Sequence, residues 1–330
     1  MNFGGFGVIF PFSTFMPKRN KRLTLICSGK KKLSQSLLGW SKEDRRALPW
    51  RKTRDPYRIL VSEVMLQQTQ VSRVAVKYKE FLQQFPTLVS LSRAQTSDVI
   101  RAWSGLGYNS RALRLQRLAQ LVVERHGGKI PTEPSLLLQL PGVGKYTANA
   151  IASFAFEKDV PVVDTNIRRV LSRLFSKMRS PDERTSEASA WEVAEALLPR
   201  ARSRTWTLAL MDLGATICTA RRPLCAQCPV SKVCRSAFLL NGGKATNQSA
   251  KREPSHEGIP NRIYRGRIVE ALRNVNGEGS LQLRRLGERI KIPFRRSEEV
   301  WLRSLLVRLQ RDGLVKMTSR ASGDVRVSLP

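Results

Sequence analysis

The chain has 330 residues, which is enough for two domains and a small third one. Its 58 lysines and arginines outweigh 26 acidic residues, and the formal net charge of +32 predicts a polyanionic partner, DNA or RNA before any other. The alternative is a highly charged soluble protein without a nucleic-acid role. Only two histidines are present, His126 and His256, which argues against histidine-rich metal sites and a Ser-His-Asp triad. No apolar run reaches the roughly 18 residues of a membrane helix.

The N-terminal segment, residues 1–34, has seven lysines and arginines and no acidic residue. Its apolar part precedes its basic part, which is the reverse of a secretory signal. We predict that this segment is a disordered basic extension or lies ahead of a true start at Met16. A transit peptide is the remaining alternative.

The stretch VSEVMLQQTQV, residues 61–71, contains a single acidic residue, Glu63. On a helix Glu63 shares a side with Leu60 and Gln67 rather than with a run of charges. The amides that follow are polar but uncharged. A lone carboxylate therefore stands beside apolar residues in a strongly basic chain.

A turn between two helices is predicted in LLLQLPGVGKYTANAIASFAF, residues 136–156. Gly142 and Gly144 can take positive φ and leave backbone N–H groups exposed at the start of an alanine-rich helix. Such amides form an anion site. This helix–hairpin–helix pattern is typical of proteins that grip a DNA phosphate without reading sequence.

The segment VPVVDTNIRRVLSRLF, residues 160–175, places Asp164 between an apolar run and a helix with a basic face. Aspartate is favoured at helix N-caps. Taken alone, this segment predicts a plain helix cap at Asp164.

Four of the five cysteines lie in CTARRPLCAQCPVSKVC with the spacing C-x6-C-x2-C-x5-C. Such clustering in a basic chain of intracellular type indicates metal binding rather than disulfides. Zinc and a [4Fe–4S] cluster both take four thiolates, so the residues alone leave both open. The candidate ligands are Cys218, Cys225, Cys228 and Cys234.

The C-terminal region begins with a predicted flexible linker at residues 241–260. Residues 261–330 contain three helical patterns, the last of which has an apolar stripe and stops at Gly313. The final segment, VRVSL, alternates as a strand does. Three helices and a hairpin predict a winged-helix-like domain that would bind DNA through its third helix and wing. A protein-contact module is the alternative.

Six segments together resemble the helix–hairpin–helix DNA glycosylases, and within them the MutY-type adenine glycosylases: LPWR, DPYRILVSEVMLQQTQV, WSGLGYNSRA, LPGVGKYTA, VVDTNIRRV and the four-cysteine loop. The resemblance covers about residues 35–236. It implies an all-α catalytic core in two helical lobes with a [4Fe–4S] cluster. The implied parts of the core, residues 35–240, are a six-helix lobe at about 59–164 and a cluster lobe from about 35–58 plus 165–240. A small α+β winged-helix-like domain follows.

The resemblance also implies roles for four residues. Glu63 matches the general acid that protonates a departing adenine and later helps activate water, since desolvation favours the acid form of a carboxyl group among apolar residues. Asp164 matches the second carboxylate, which would stabilise the positive sugar electrostatically or capture it covalently. Tyr146 and Asn166 match neighbours that position this pair. Strand-cutting relatives such as endonuclease III carry a lysine in place of Tyr146, so the resemblance implies a monofunctional enzyme that leaves an abasic site.

The implied DNA contacts come from the same motifs. They are Arg51, Gln67, Gln68, Thr69, Tyr108, Gly142, Val143, Gly144 and Lys145. Gln67, Gln68 and Thr69 would face the widowed base, and Tyr108 would intercalate beside the lesion. The expected partner is double-stranded DNA with mismatched or oxidised bases. We expect a monomer without a membrane association, at the nucleoid in the cytoplasm of a prokaryote.

Two positions depart from the family pattern. The family usually has two tyrosines after GLG, whereas the second position here is Asn109. The glutamine or glutamate that can touch the adenine edge is replaced by Leu208. Thymine-mismatch glycosylases carry an apolar residue there, so thymine or uracil opposite guanine is the alternative substrate. A non-catalytic lesion-binding protein is the alternative of another class.

Overall fold

The computed structural model describes residues 21–43, 46–180, 183–240, 253–275, 279–319 and 324–330. Across these ranges no helix is both long and apolar enough to cross a membrane. The expected disorder of residues 1–20 and most of the expected linker, residues 241–252, lie outside them.

The first lobe is a bundle of helices joined by short turns. Its helices are α2 (Pro56–Leu66), α3 (Val71–Gln84), α4 (Leu88–Arg93), α5 (Thr96–Ala102), α6 (Ser110–His126), α7 (Pro134–Leu137) and α8 (Lys145–Phe156). Asp55 caps α2 by accepting from the amides of Tyr57 and Arg58, and Pro56 favours the first helical position. Gly127 ends α6 in the left-handed conformation. The fully buried Trp103, Phe81 and other apolar side chains form one hydrophobic core.

The second lobe combines the first helix of the chain with three helices that follow α8. These are α1 (Lys21–Glu43), α9 (Thr165–Phe175), α10 (Glu187–Leu197) and α11 (Ser203–Asp212). Leu33 and Leu37 of α1 are buried in the core of this lobe. Lys30 Nζ donates to the carbonyl oxygens of Ala196 and Leu198 at 2.9 and 3.1 Å, and so satisfies groups at the end of α10. A π-helical turn, Leu213–Ile217, leads into the cysteine loop.

The C-terminal domain is a small α+β unit. Its elements are β1 (Ser255–His256), β2 (Ile259–Pro260), α12 (Asn261–Arg273), β3 (Ser280–Gln282), α13 (Leu283–Ile290), α14 (Glu299–Arg311), β4 (Lys316–Ser319) and β5 (Val325–Ser328). Strand β5 lies between β3 and β4 and pairs antiparallel with both, with Val327 opposite Leu281 and Met317. Three helices on a three-stranded sheet of this order form a winged-helix arrangement.

The predicted fold class is confirmed in outline, since the core is all-α in two lobes and the C-terminal domain is α+β. The sequence missed β3, because three residues are too few for a period-2 pattern to stand out. The structure also differs from the expectation for residues 1–34. Helix α1 begins at Lys21, inside that segment, because the leucines from Leu33 onward pack into the second lobe.

Candidate active site and DNA interface

Helix α2 carries Glu63 into a cleft where the two lobes meet. Its side chain is buried, with 5% of the residue exposed, and Tyr146 donates a 2.7 Å hydrogen bond from its hydroxyl to Glu63 Oε2. Burial raises the pKa of Glu63 to about 7, helped by the nearby charge of Asp164 and opposed by the Tyr146 bond and Arg51. The carboxyl group is therefore protonated in a substantial fraction of molecules at neutral pH.

Asp164 is both a helix cap and a wall of the same cleft. Its Oδ1 accepts from the amide of Ile167 at 2.6 Å at the start of α9, and Asn166 donates from Nδ2 to Oδ2 at 3.3 Å. Burial raises its pKa, while these hydrogen bonds and Arg169 lower it. Asp164 therefore caps α9 through one carboxylate oxygen and also lines the cleft.

The cleft has a volume of about 660 Å³. That lies in the range of roughly 300–1,000 Å³ found for small-molecule sites. Glu63 and Tyr146 line it from the first lobe, and Asp164 and Asn166 line it from the second. The four residues predicted as catalytic are thus brought together. Leu208, from α11, also lines this cleft.

Arg51, expected to contact DNA, lines the same cleft, but its guanidinium is engaged by a buried carboxylate. Its guanidinium makes two hydrogen bonds to the carboxylate of Asp212, at 2.5 and 2.7 Å, and only 7% of the Arg51 side chain is exposed. An arginine committed to a buried carboxylate has few donors left for a phosphate. Arg51 ties the segment before α2 to the end of α11, and its partner Asp212 was not identified from the sequence.

Gln67, Gln68 and Thr69 line the mouth of the cleft, immediately after α2. Gln68 has a φ of 55°, which is unusual for a residue with a side chain. Tyr108 has a φ of 44° and 59% of it is exposed, so its ring is available to stack. Gln68 and Tyr108 therefore both have strained backbone conformations, and each lies in a loop next to the cleft.

Arg111 joins the loop that contains Gln68 to the loop that contains Tyr108. This role of Arg111 was not predicted from the sequence. Its guanidinium donates to the carbonyl oxygens or hydroxyl of six residues, namely Val64, Met65, Gln67, Thr69, Leu106 and Gly107. It also lies 5.6 Å from the centroid of the Tyr108 ring. Burial lowers its pKa to about 10, which leaves it charged at neutral pH. An arginine in a helix with many basic residues gives no sequence signal that it faces inward.

We expect Arg111→Met to lower the free energy of unfolding by about 3–5 kcal/mol, because several buried acceptors lose their only charged donor. Urea denaturation followed by circular dichroism would measure this change. Arg117→Met, on an exposed position of the same helix, is the control and should change stability little. Equal stabilities of the two variants would contradict the role assigned to Arg111.

The helix–hairpin–helix turn has the predicted local structure. Gly142 has a φ of 81°, Val143 is buried, and Gly144 is the N-cap of α8 with no side chain to close it. The backbone N–H groups at this helix start can donate hydrogen bonds to an anion. Lys145 is exposed. Its Nζ lies 4.2 Å from the centroid of the ring of Trp191, a residue of α10 in the second lobe.

The four cysteines of the loop after α11 line one small, mainly apolar cavity. None of the four forms a disulfide. Arg173 donates to Cys218 Sγ at 3.4 Å and to the carbonyl oxygen of Thr219, which ties the loop to α9. Burial raises the pKa of Cys234 to about 11, so thiolates would form here when a metal supplies positive charge. Four converging thiols without disulfides fit an iron–sulfur cluster.

Two family models match the chain. The HhH-GPD superfamily of base excision DNA repair proteins matches residues 61–196, which include the second half of α2, α3 to α9 and all but the last residue of α10. The iron–sulfur binding domain of endonuclease III matches residues 218–234, which begin and end at cysteine ligands. The fold and the cleft thus define a helix–hairpin–helix base excision repair protein with an iron–sulfur motif, and the zinc alternative is dropped.

Two curated relatives narrow the class. An adenine DNA glycosylase of Rattus norvegicus is 46% identical over 219 residues, covering 64% of this chain and 42% of that protein. One of Mycobacterium tuberculosis is 38% identical over 239 residues, covering 72% and 77%. The chain belongs to the adenine DNA glycosylase family. It spans about two fifths of the length of the mammalian relatives it matches.

A solved structure of a thermostable thymine-DNA glycosylase superposes with a TM-score of 0.59 at 35% identity. It covers 63% of this chain and 96% of that chain.

Proposed function

We propose that the chain is a monofunctional DNA glycosylase of base excision repair, which hydrolyses the N-glycosidic bond of adenine mispaired with 8-oxoguanine or guanine. The observation that carries this proposal is the pairing of Glu63 and Asp164 in one cleft between the lobes, with a raised pKa at Glu63. The membership of the adenine glycosylase family supports the choice of base.

Base release requires the target nucleotide to leave the duplex stack and enter the cleft, at a cost of a few kcal/mol. The bond between the sugar C1′ and the base nitrogen breaks, and its electron pair leaves with the base. The Glu63 carboxyl group donates its proton to a ring nitrogen of that base, so the leaving group departs uncharged. The hydrogen bond from Tyr146 holds the carboxyl group in place.

The Asp164 carboxylate, which lines the cleft, would stabilise the cation left on the sugar. A water molecule then adds its oxygen to C1′ and gives a proton to the Glu63 carboxylate. The products are the free base and an abasic site, and Glu63 returns to its acid form. Asn166 holds Asp164 in orientation through its side-chain amide.

The absence of a nearby amine supports a monofunctional reaction. Among the described residues that line the cleft there is no lysine, and Lys145 is directed to the Trp191 ring instead. A Schiff base with the sugar needs a lysine within reach of C1′. The chain therefore has no nucleophile for strand cleavage in the part of the cleft that the structure describes.

The iron–sulfur cluster would be held by Cys218, Cys225, Cys228 and Cys234. When bound it supplies rigid anchoring of the loop and an electron-accepting centre. The loop also carries Arg221 and Arg222, which are exposed and suited to a phosphate.

Thymine or uracil opposite guanine is the second candidate substrate. Leu208 lines the cleft where the family pattern has an amide or acid that can touch adenine, and a thymine-DNA glycosylase is 35% identical. An apolar side chain makes no hydrogen bond that distinguishes adenine, so selection would depend on cleft shape.

Single-turnover assays on duplexes carrying A·8-oxoguanine, A·G, T·G and U·G pairs test the proposal. We expect release of adenine from the first two and intact strands without alkaline treatment. Release of thymine or uracil alone would favour the second candidate. Tight binding without release of any base would favour a non-catalytic lesion-binding protein.

The pKa of Glu63 predicts the pH dependence of base release. Because it is raised to about 7, the proton is held below that pH and lost above it. The single-turnover rate should therefore fall about tenfold for each pH unit above roughly 7.5, when the acid form becomes scarce. Measuring the rate from pH 6 to 9 on an adenine substrate checks this. A rate that stays constant or rises across that range would contradict Glu63 as the acid.

A further inference from the structure

The C-terminal domain is packed against the first lobe close to the loop that carries Tyr108. Ile100, from α5, is fully buried in the hydrophobic core of the C-terminal domain, and Leu113, from α6, packs on that same core and against Gly313. Tyr108 lies in the turn between these two helices. The docking site therefore brackets the Tyr108 loop in the sequence.

Arg273, the last residue of α12, makes the polar contacts at this junction. Its Nε donates to the carbonyl oxygen of Ile100 at 2.9 Å, and another guanidinium nitrogen donates to Asn109 Oδ1 at 2.8 Å. A third donates to Glu270 at 2.7 Å, and Glu270 also accepts from Ser104 Oγ at 3.3 Å. Only 6% of the Arg273 side chain is exposed, and its bonds to Ile100 and Asn109 are part-buried, whereas the bonds to Glu270 are exposed.

The Tyr108 loop needs such external support because its own backbone is irregular. Gly105, Gly107 and Tyr108 all have positive φ, at 81°, 71° and 44°. A residue with a side chain in that region is strained and persists when its surroundings fix it. Arg111 holds the loop from inside through the carbonyl oxygens of Leu106 and Gly107. Arg273 holds it from the side of the C-terminal domain.

Asn109 explains why the contact exists in this chain. Related glycosylases usually carry a second tyrosine at this position, as the motif comparison above implies. Asparagine places an amide oxygen two bonds beyond Cβ, where it meets the Arg273 guanidinium at 2.8 Å. A tyrosine carries its only acceptor at the far end of a ring. Asn109, which departs from the family pattern, is therefore hydrogen-bonded to Arg273 of the C-terminal domain.

We propose that Arg273 is a positioning residue for the Tyr108 wedge: the C-terminal domain holds the wedge loop ready for the duplex through the Arg273–Asn109 contact. The proposal rests on the proposed function and on the expectation, implied by the family resemblance, that Tyr108 intercalates beside the extruded base. Since the loop is fixed before DNA arrives, less ordering remains for the base-extrusion step.

The test compares Arg273→Met with Arg285→Met. Arg285 is exposed in α13 of the same domain, so both variants lose one positive charge there. Base extrusion is followed by the fluorescence of 2-aminopurine at the target position, in a Glu63→Gln background that retains the base. We expect Arg273→Met to slow extrusion by about 10-fold to 100-fold, as a small misplacement of a positioning group does, and Arg285→Met to leave it near the parent rate.

Asn109→Ala provides a milder variant, since it removes one acceptor and leaves the Arg273 bonds to Ile100 and Glu270 in place. It should reproduce a large part of the defect with a melting temperature close to that of the parent. The double variant Arg273→Met with Tyr108→Ala separates a positioning role from a loss of stability. The quantity compared is its extrusion rate against that of Tyr108→Ala alone. If Arg273 acts through the wedge, Arg273→Met has no further effect once the ring is gone.

Additive effects of Arg273→Met and Tyr108→Ala would overturn the proposal, and so would parent-like extrusion by both Arg273→Met and Asn109→Ala. Those failures are separate from a failure of the proposed function. If Tyr108→Ala alone extrudes the base at the parent rate, the wedge role itself is wrong, and the Arg273 proposal falls with it for that reason.

Discussion

Glu63→Gln is expected to lower single-turnover base release by about 10²–10⁴-fold, which is the usual contribution of a general acid. Glutamine keeps the shape of the side chain and can still accept the hydrogen bond from Tyr146, but it has no proton to give to the base. Binding of the mismatched duplex should stay within a fewfold of the parent, because the binding surface is unchanged. Gel-shift titration and quenched-flow base release measure the two quantities.

Glu187→Gln is the matched control for that substitution. Glu187 lies at the rim of the same cleft but is exposed, so its loss changes the local charge without removing a shielded proton donor. It should release base at close to the parent rate. Near-normal turnover by Glu63→Gln, or an equal loss in both variants, would refute the assignment of Glu63 as the acid.

Glu63→Gln should also raise the free energy of unfolding in a pH-dependent way. The unfolded carboxyl group ionises near 4.5 and the folded one near 7, so folding becomes less favourable as pH rises between these values. Glu63→Gln removes this penalty, by up to about 3 kcal/mol above pH 7 and by little below pH 4.5. Thermal or urea unfolding at pH 5 and pH 8 would reveal the difference between the two proteins.

Asp164→Asn is the second substitution with a large expected effect. Asparagine is as good an N-cap as aspartate, and its Oδ1 can still accept from the amide of Ile167. The negative charge beside the developing sugar cation is lost, so base release should fall by about 10²–10³-fold with little change in stability. Rapid-quench kinetics together with urea denaturation separate the two contributions.

Asp159→Asn controls for the removal of an aspartate charge that also accepts a backbone hydrogen bond. Asp159 is exposed and accepts from the amide of Ala201 at 2.8 Å, away from the cleft. Its variant should have the parent rate. If Asp164→Asn instead lost stability and kept its rate, Asp164 would be a helix cap and nothing more.

The family resemblance supplied most of the candidate site. Glu63 stands out in the sequence as a lone acid among apolar residues, and its role came from that resemblance, whereas the cysteines stand out by their spacing. Asp164 could not be resolved from its own segment, since a capping residue and a cleft residue look alike in sequence. The structure gives each oxygen of Asp164 its own partner, which no pattern encodes.

The residues that sequence reasoning missed are those whose meaning depends on a distant partner. Arg51 was expected to contact DNA, and its carboxylate partner Asp212 could not be recognised because it is 161 positions away in the chain. Arg111 and Arg273 likewise sit among many arginines, and only the folded chain separates the buried donors from the solvated ones. In a chain with 58 basic residues, charge indicates the class of partner but not which arginines meet it.

The Arg51–Asp212 tie has a consequence for how substrate enters. Arg204, from α11, adds hydrogen bonds to the backbone oxygens of Arg51 and Thr53 at 2.9 and 3.0 Å. It also donates to the backbone oxygen of Phe154 in α8, so the two lobes are tied together at α11. Lobes tied together in this way do not separate widely enough to take in a whole duplex. Admission of a nucleotide is then a deformation of the DNA rather than of the protein, and sequences or lesions that make a duplex easier to bend should be processed sooner.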